Sequence, residues 1–150
     1  MDFFRETFFA THDSYILLVL RILLGLVIFP HGAQKLVGWF GGPGFSGSMQ
    51  YFTQVVHLPW LIGFLVILIE FFGSLFLLVG FATRLAAIGM IALALGATFT
   101  VCLPHGFFMN WVGNQKGEGF EFHLLVIGMA IALLIGGGGI HSLDRMLVCN

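Results

Sequence analysis

The stretch that decides the fold is residues 21–35, RILLGLVIFPHGAQK. It lies within an apolar run over 15–37, which is long enough to cross a bilayer, since a transmembrane helix needs about 20 mostly apolar residues. The run nevertheless carries four polar side chains: Arg21, His31, Gln34 and Lys35. Charged and ionisable groups inside a span are costly, so each normally faces protein or water and has a partner. The stretch therefore predicts a membrane helix together with polar partners on the other helices.

Composition supports a membrane protein. The 150 residues are 59% hydrophobic and 9% charged, with a mean hydropathy of +1.03. Soluble domains are about 45–50% apolar and about 25% charged. A formal net charge of −1 without a basic patch argues against nucleic-acid binding. The first apolar run is longer than the core of a cleavable signal and lacks a small-residue cleavage site, so we expect it to be a retained span.

Four apolar segments divide the chain. They predict a single all-α transmembrane domain, an integral membrane four-helix bundle with up-down-up-down topology. The predicted spans are residues 15–37, 59–81, 85–103 and 121–135. Two long connections, 38–58 and 104–120, are rich in glycine and aromatic residues, which is typical of loops at the membrane interface.

The basic residues predict an orientation. Four arginines fall on or near the side that holds both termini and the turn between spans two and three: Arg5, Arg21, Arg84 and Arg145. Lys35 and Lys116 fall on the other side. The positive-inside rule therefore places both termini in the cytoplasm, with the two long loops outside.

Depth along the spans suggests one ion pair. With a rise of about 1.5 Å per residue, Arg21 lies about 9 Å and Glu70 about 14 Å from the inner end of the core. Two long side chains can close that difference, so the sequence predicts a buried Arg21–Glu70 pair. As a structural element the pair would fix how span one docks on span two; as a functional element it would be a proton relay or an anion site.

A second polar cluster is predicted near the outer ends of the spans. His31 and Lys35 are four residues apart and share a helix face. The cluster comprises His31, Gln34, Lys35, His105, Glu121 and His123. Such groups could bind a metal, hold a quinone head through hydrogen bonds, or form polar packing at the interface. Because no pair has the tight spacing of a motif such as H-E-x-x-H, we assign no metal site and name the six residues as candidates for a small-molecule or quinone pocket, with polar packing as the alternative.

Several of these residues also carry a family resemblance. The matching pieces are Arg21, Gly25, His31-Gly32 and Lys35; Glu70, Gly73 and LLVGFATR at 77–84; Gly119-Phe120-Glu121; and Gly137-Gly138-Gly139 with Ser142-Leu143-Asp144. In these pieces, spread over nearly the whole chain, the sequence resembles the DoxX family of small four-span bacterial membrane proteins. The polar family positions are Arg21, His31, Lys35, Glu70, Arg84 and Glu121. His123 is a departure, since many members have another polar residue there.

The resemblance implies a function. The family is named after a small subunit of a terminal quinol oxidase, and a related subunit belongs to a thiosulfate:quinone oxidoreductase. Other members look like membrane anchors of oxidative-stress complexes, and distant relatives look like chaperones or cargo receptors. By this likeness we expect a small subunit or accessory protein of a quinone-linked oxidoreductase in the bacterial inner membrane.

The chain itself has no haem-attachment motif, flavin motif or cysteine run for an iron–sulfur cluster, so we expect no intrinsic redox cofactor. A redox role would then need a quinone or a partner oxidoreductase. The alternative is a non-enzymatic membrane module: a scaffold, a chaperone-like protein, or a binder or carrier of a small apolar molecule. The expected partners are the lipid bilayer and other membrane proteins, and a second copy of the chain is left open.

Overall fold

The computed structural model describes residues 8–148 and, within that range, contains helices and no strands. The helices are α1 Tyr15–Leu36, α2 Gly44–Gln50, α3 Trp60–Val79, α4 Thr83–His105, α5 Glu121–Gly136 and α6 Leu143–Val148. Helices α1, α3 and α4 are long and apolar enough to cross a membrane, and α5 is a shorter apolar helix of 16 residues. The predicted all-α class is confirmed. Arg5 of the orientation argument lies outside the described residues.

The helices pack as a bundle. Helix α1 lies against α3 and α5, and α4 lies along α5. The core between them is built from residues of all four helices: Leu24, Ile28, Leu77, Ala86, Ala87, Met90, Ala94, Val126, Ala130 and Leu133. Alanines at α4 and α5 positions allow close backbone approach, which is how membrane helices associate. Many large apolar side chains remain exposed around this core, as expected of a multi-pass membrane protein.

The bundle has two different ends. We call the end with the connections 37–59 and 106–120 the loop end, and the end with the α3–α4 turn and residues 137–148 the terminal end. At the terminal end, α3 stops at Gly80, whose φ is +70°. The Phe81 amide donates to the Phe76 carbonyl at 2.9 Å, the bond that closes a Schellman motif. The chain can then turn directly into α4.

Asp144 caps the start of α4 from a distant part of the chain. Its Oδ1 accepts from the Ala82 amide at 2.6 Å and its Oδ2 from the Thr83 amide at 2.8 Å. The residue is 1% exposed, so both bonds are shielded from water. The carboxylate satisfies amides that a helix start leaves free and lies at the positive end of the α4 dipole. These two hydrogen bonds thereby hold the C-terminal segment against the α3–α4 turn.

Within the described part of the chain, three π-helical turns interrupt the regular helices. The first, Tyr51–Val55, continues α2; the second, Ile69–Gly73, lies inside α3; and the third, Thr98–Cys102, lies near the end of α4. A π turn inserts an extra residue into a helix and is found frequently at functional sites. Glu70 lies in the second turn. All three turns belong to the half of the bundle that ends in the two long loops.

Candidate functional site

The loop half of the bundle contains a partly open cavity of about 560 Å³. Its walls come from α1, α3, α4, α5 and the two connections at the loop end. Each π turn contributes to the lining: Tyr51 and Phe52 from the first, Ile69 and Glu70 from the second, Thr100, Val101 and Cys102 from the third. Most of the wall is aliphatic or aromatic. The three irregular turns therefore surround one space.

An ion pair lies in the cavity wall. The Nζ of Lys35 donates to Oε2 of Glu70 at 2.6 Å, joining the last turn of α1 to the π turn of α3. The side chains are 25% and 9% exposed, respectively. Gly32 makes this approach possible, because a Cβ there would lie 2.5 Å from the Phe71 amide nitrogen. The pair therefore depends on a glycine one turn before the lysine.

The predicted pair between Arg21 and Glu70 is wrong. Arg21, 1% exposed, donates instead to backbone carbonyls. Its four bonds are to Leu77 at 2.8 Å, Leu78 at 2.6 Å, Gly138 at 3.0 Å and His141 at 3.2 Å. The first two carbonyls lie in the last turn of α3, which carries the negative end of the helix dipole. Arg21 thus holds the terminal end of the bundle together and lies outside the cavity lining.

The error has a physical cause, which is a stagger between helices. Gly32 lies beside Glu70. Gly32 is four residues before the end of α1, whereas Glu70 is ten residues after the start of α3. At 1.5 Å per residue, α3 therefore starts about 9 Å beyond the end of α1. Counting depths from the ends of apolar runs assumes that the helices begin level. With the stagger, Glu70 meets Lys35 instead of Arg21.

Two histidines face the same cavity as the ion pair. His31 of α1 and His123 of α5 both line it, and the His31 ring lies 6.4 Å from the Phe122 ring, centre to centre. The Nδ1 atom of His123 is buried and has no hydrogen-bond partner among residues 8–148. Burying a polar atom without a hydrogen-bond partner costs free energy, and a hydrogen bond to a ligand oxygen would remove that cost. His31, Lys35 and His123 are thus brought together from two helices.

The other three predicted pocket residues are elsewhere. Gln34 donates to the Phe40 carbonyl at 3.4 Å, and His105 packs over Gly117. Glu121 accepts from the Met109 amide and from the Trp111 indole Nε1, both at 2.9 Å. These side chains hold the loops at the loop end. Their part in a small-molecule site stays a prediction, but the geometry gives them structural contacts.

Sequence reasoning misses several cavity residues. It pairs Glu70 with Arg21, away from the predicted cluster, and does not single out Cys102 or Glu118 for the pocket. A π turn has no sequence signature comparable to a helix cap or a proline break. The sequence therefore does not predict that these residues line the same cavity. Two of these residues lie in π turns, Glu70 in the second and Cys102 in the third. Glu118, in the loop after α4, is a charged residue, and this charge is the signal by which it could have been included.

The donor set suits hydrogen bonding and proton transfer. Among residues 8–148, no group of three or more His, Cys, Asp and Glu side chains is arranged to hold a metal ion. The cavity instead offers the ammonium donor of Lys35, the carboxylates of Glu70 and Glu118 and two imidazoles within a mostly apolar lining. Such pockets, with a few convergent polar groups on apolar walls, are typical small-molecule sites. A neutral ligand with carbonyl or hydroxyl oxygens matches these groups.

Comparison with known proteins gives consistent results. The family model described as DoxX matches residues 16–103, which include His31, Lys35, Glu70 and Cys102. The chain is 32% identical over 130 residues to "Inner membrane protein YqjF" of Escherichia coli (strain K12), covering 87% of this chain and 90% of that protein. It is 29% identical over 127 residues to "Putative oxidoreductase CatD" of Bacillus subtilis (strain 168), covering 85% and 83%.

A third relative covers almost the whole chain. "Inner membrane protein YphA" of Escherichia coli (strain K12) is 27% identical over 149 residues, which is 97% of this chain and 99% of that protein. No solved structure gives a significant match.

Proposed function

We propose, from the premise that the chain belongs to the DoxX family of membrane proteins, that the cavity binds a quinone. The protein would then serve as a small subunit or accessory protein of a quinone-linked oxidoreductase. The observation that carries this proposal is the convergence of Lys35, Glu70, His31 and His123 on one apolar cavity. A relative named as an oxidoreductase adds support.

Size and chemistry both fit a substituted ring. Small-molecule pockets measure about 300–1,000 Å³, and the cavity of about 560 Å³ falls in that range. Its walls include the aromatic rings of Tyr51, Phe52 and Phe122, which suit contact with a flat ring. The unpartnered His123 Nδ1 could pair with a ring oxygen. The residues present therefore fit the group.

The chain's own residues would bind the ring and move protons. A bound quinone supplies two-electron, two-proton redox chemistry. Lys35 has three N–H donors and uses one on Glu70, so two remain for a ligand oxygen. Glu70 and the imidazoles of His31 and His123 are groups that can accept and return protons. The low polarity of the surrounding wall strengthens each of these hydrogen bonds.

Electrons would come from a partner, because the sequence carries no motif for a redox cofactor. The test is purification from native membranes in a mild detergent, followed by mass spectrometry of the bound small molecules and proteins. We expect a quinone and a redox protein in the wild type. Recovery of neither would overturn the proposal. Recovery of a quinone without a redox partner would favour the alternative, a non-enzymatic carrier.

Binding measurements with variants locate the site. We expect Lys35→Met and Glu70→Gln each to weaken binding of 2,3-dimethoxy-5-methyl-1,4-benzoquinone by about 10-fold, the effect of one lost charge-assisted hydrogen bond. Arg145→Gln is the control, because its partner Asp13 is exposed and both lie outside the cavity lining. Equal affinity in the wild type and both cavity variants would exclude this site.

The orientation in the bacterial inner membrane is part of the proposal. Two relatives are named inner membrane proteins. Arg21, Arg84 and Arg145 belong to the terminal end of the bundle, which supports placing that end in the cytoplasm. Fusing green fluorescent protein to the C-terminus tests this, since it fluoresces when cytoplasmic. A fluorescent fusion is expected, and a dark fusion of equal abundance would reverse the orientation.

A further inference from the structure

The cavity opens sideways between α3 and α4. Four members of its lining on these helices are exposed and carry no polar side chain: Ile62, Leu65, Ala92 and Gly96. We call these four residues the lateral mouth. They belong to two helices that are long and apolar enough to cross a membrane. The mouth therefore lies on a wall that faces lipid.

The opening results from a divergence of α3 and α4. At the π turn of α3 the two helices touch: a Cβ on Gly89 would lie 3.0 Å from the Ile69 side chain, and one on Gly73 would lie 3.1 Å from Met90. Gly96 lies seven residues beyond Gly89, or about 10 Å further along α4. A Cβ there would meet nothing within 4 Å. Because Gly96 also lines the cavity, the open space beside it belongs to the cavity, and α3 and α4 are not packed together at this level.

Polarity is distributed unevenly around this cavity. Lys35 and Glu70 form their ion pair on α1 and the π turn, and His123 projects from α5. The mouth residues are all apolar. One part of a ligand that fills the cavity therefore contacts the hydrogen-bonding groups. The other part contacts the aliphatic residues of the mouth and, beyond them, lipid.

We infer that the cavity takes an amphiphile whose polar head lies at Lys35, Glu70 and His123 while its hydrocarbon tail leaves through the lateral mouth into the bilayer. This rests on the proposed function and narrows it: the ligand is a tailed quinone dissolved in the membrane, not a tailless quinone from water. Direct entry from lipid spares the apolar tail any passage through water, where its exposure would be unfavourable.

The test closes the mouth without touching the polar groups. Gly96→Trp fills the open space beside Gly96. Gly128→Trp on α5 is the matched control, since Gly128 is also a helical glycine with nothing within 4 Å of an added Cβ and lies outside the cavity lining. Both variants, reconstituted in nanodiscs, are titrated with 2,3-dimethoxy-5-methyl-1,4-benzoquinone with and without a decyl chain. Partitioning of the tailed compound into lipid is the same for both variants and cancels.

We expect Gly96→Trp to bind the decyl compound at least about 10-fold more weakly than Gly128→Trp does, and the tailless compound within about 2-fold, because only the tail contacts the mouth. An equal loss for both compounds, or no loss for either, would overturn the lateral route while leaving the quinone site standing. Ala92→Phe, deeper in the same mouth, repeats the test if Gly96→Trp does not fold.

A third probe separates the two proposals. If neither quinone binds the wild type, the proposed function fails. If palmitate then binds in a manner that Gly96→Trp blocks and Gly128→Trp does not, the lateral route stands with a different head group. If palmitate binding is also absent or insensitive to the mouth, the inference fails as well.

Discussion

The Nζ of Lys35 lies 2.6 Å from Oε2 of Glu70, and this contact joins α1 to the π turn of α3 beside the cavity. Neither partner is fully shielded, since Lys35 is 25% and Glu70 9% exposed. The pair therefore loses less hydration than a fully buried one and keeps part of its Coulomb attraction. It is a charge-assisted hydrogen bond between α1 and α3 at the loop end.

We predict a measurable coupling between these two charges. Removing one partner leaves the other charge in a largely apolar wall, so Glu70→Gln or Lys35→Met alone should each destabilise the protein by about 1–3 kcal/mol. The double variant should lose less than the sum, with a coupling of about 1–2 kcal/mol. Thermal unfolding in detergent measures all four proteins.

The exposed pair Arg145–Asp13 is the matched control for that cycle. Its side chains are 38% and 61% exposed, so its coupling should be about 0–1 kcal/mol. Strict additivity of Lys35→Met and Glu70→Gln would show that the contact contributes nothing.

Arg21 should not tolerate lysine. Its guanidinium makes four bonds to carbonyls from α3 and the C-terminal segment. A lysine ammonium has three donors on a flexible stem and cannot reproduce the planar fork. We expect Arg21→Lys to lower stability by about 2–4 kcal/mol, because buried carbonyls lose charged donors. The control Arg145→Lys, at an exposed position, should change stability by less than about 0.5 kcal/mol.

The same variant tests the correction to the ion pairing. Because Arg21 and Glu70 share no hydrogen-bond partner among residues 8–148, the effects of Arg21→Lys and Glu70→Gln should add within about 0.5 kcal/mol. A large coupling free energy between the two substitutions would instead support a direct Arg21–Glu70 interaction.

The all-α membrane fold can be predicted from the sequence because the apolar runs are long and proline or glycine residues mark their ends. Pro59 precedes α3, Pro104 lies in the last turn of α4 and Gly137 follows α5. The site is readable in part. His31 and Lys35 share a face by their spacing of four, which is enough to place both on the same wall.

The part that the sequence does not reveal depends on relations between helices. The stagger that pairs Glu70 with Lys35 is set by the contact of Gly32 with the α3 backbone, which no single helix specifies. Asp144 caps α4 from 62 and 61 residues away in sequence, measured from the amides of Ala82 and Thr83, whereas local capping patterns span about three residues. Neither relation has a local sequence signal.

Glu121 should act as an anchor for the loop before α5. Its Oε1 accepts from the Met109 amide and the Trp111 indole. We expect Glu121→Ala to raise amide hydrogen exchange in residues 107–113 by at least about 10-fold, because both charge-assisted bonds are lost. Trp111→Phe removes only the indole bond, so its effect should be smaller. Unchanged exchange in Glu121→Ala would mean that other contacts hold the loop.

Gly32→Ala should disrupt the loop half of the bundle. A Cβ at this position would lie 2.5 Å from the Phe71 amide nitrogen and 2.6 Å from the Glu70 carbonyl carbon, both backbone atoms. Backbone of a packed helix cannot rotate away as a side chain does, so α1 must move from α3. We expect a cost of about 1–3 kcal/mol, seen as a Tm lower by about 3–10 °C.

Gly128→Ala is the control for this change, because Gly128 lies in a helix with nothing within 4 Å of an added Cβ. Alanine is the better helix former by about 1 kcal/mol, so this variant should be as stable as the wild type or more so. Moving α1 should also separate Lys35 from Glu70. The coupling between Lys35→Met and Glu70→Gln should therefore fall toward zero in the Gly32→Ala background, and a coupling that persists there would show that the glycine does not position the ion pair.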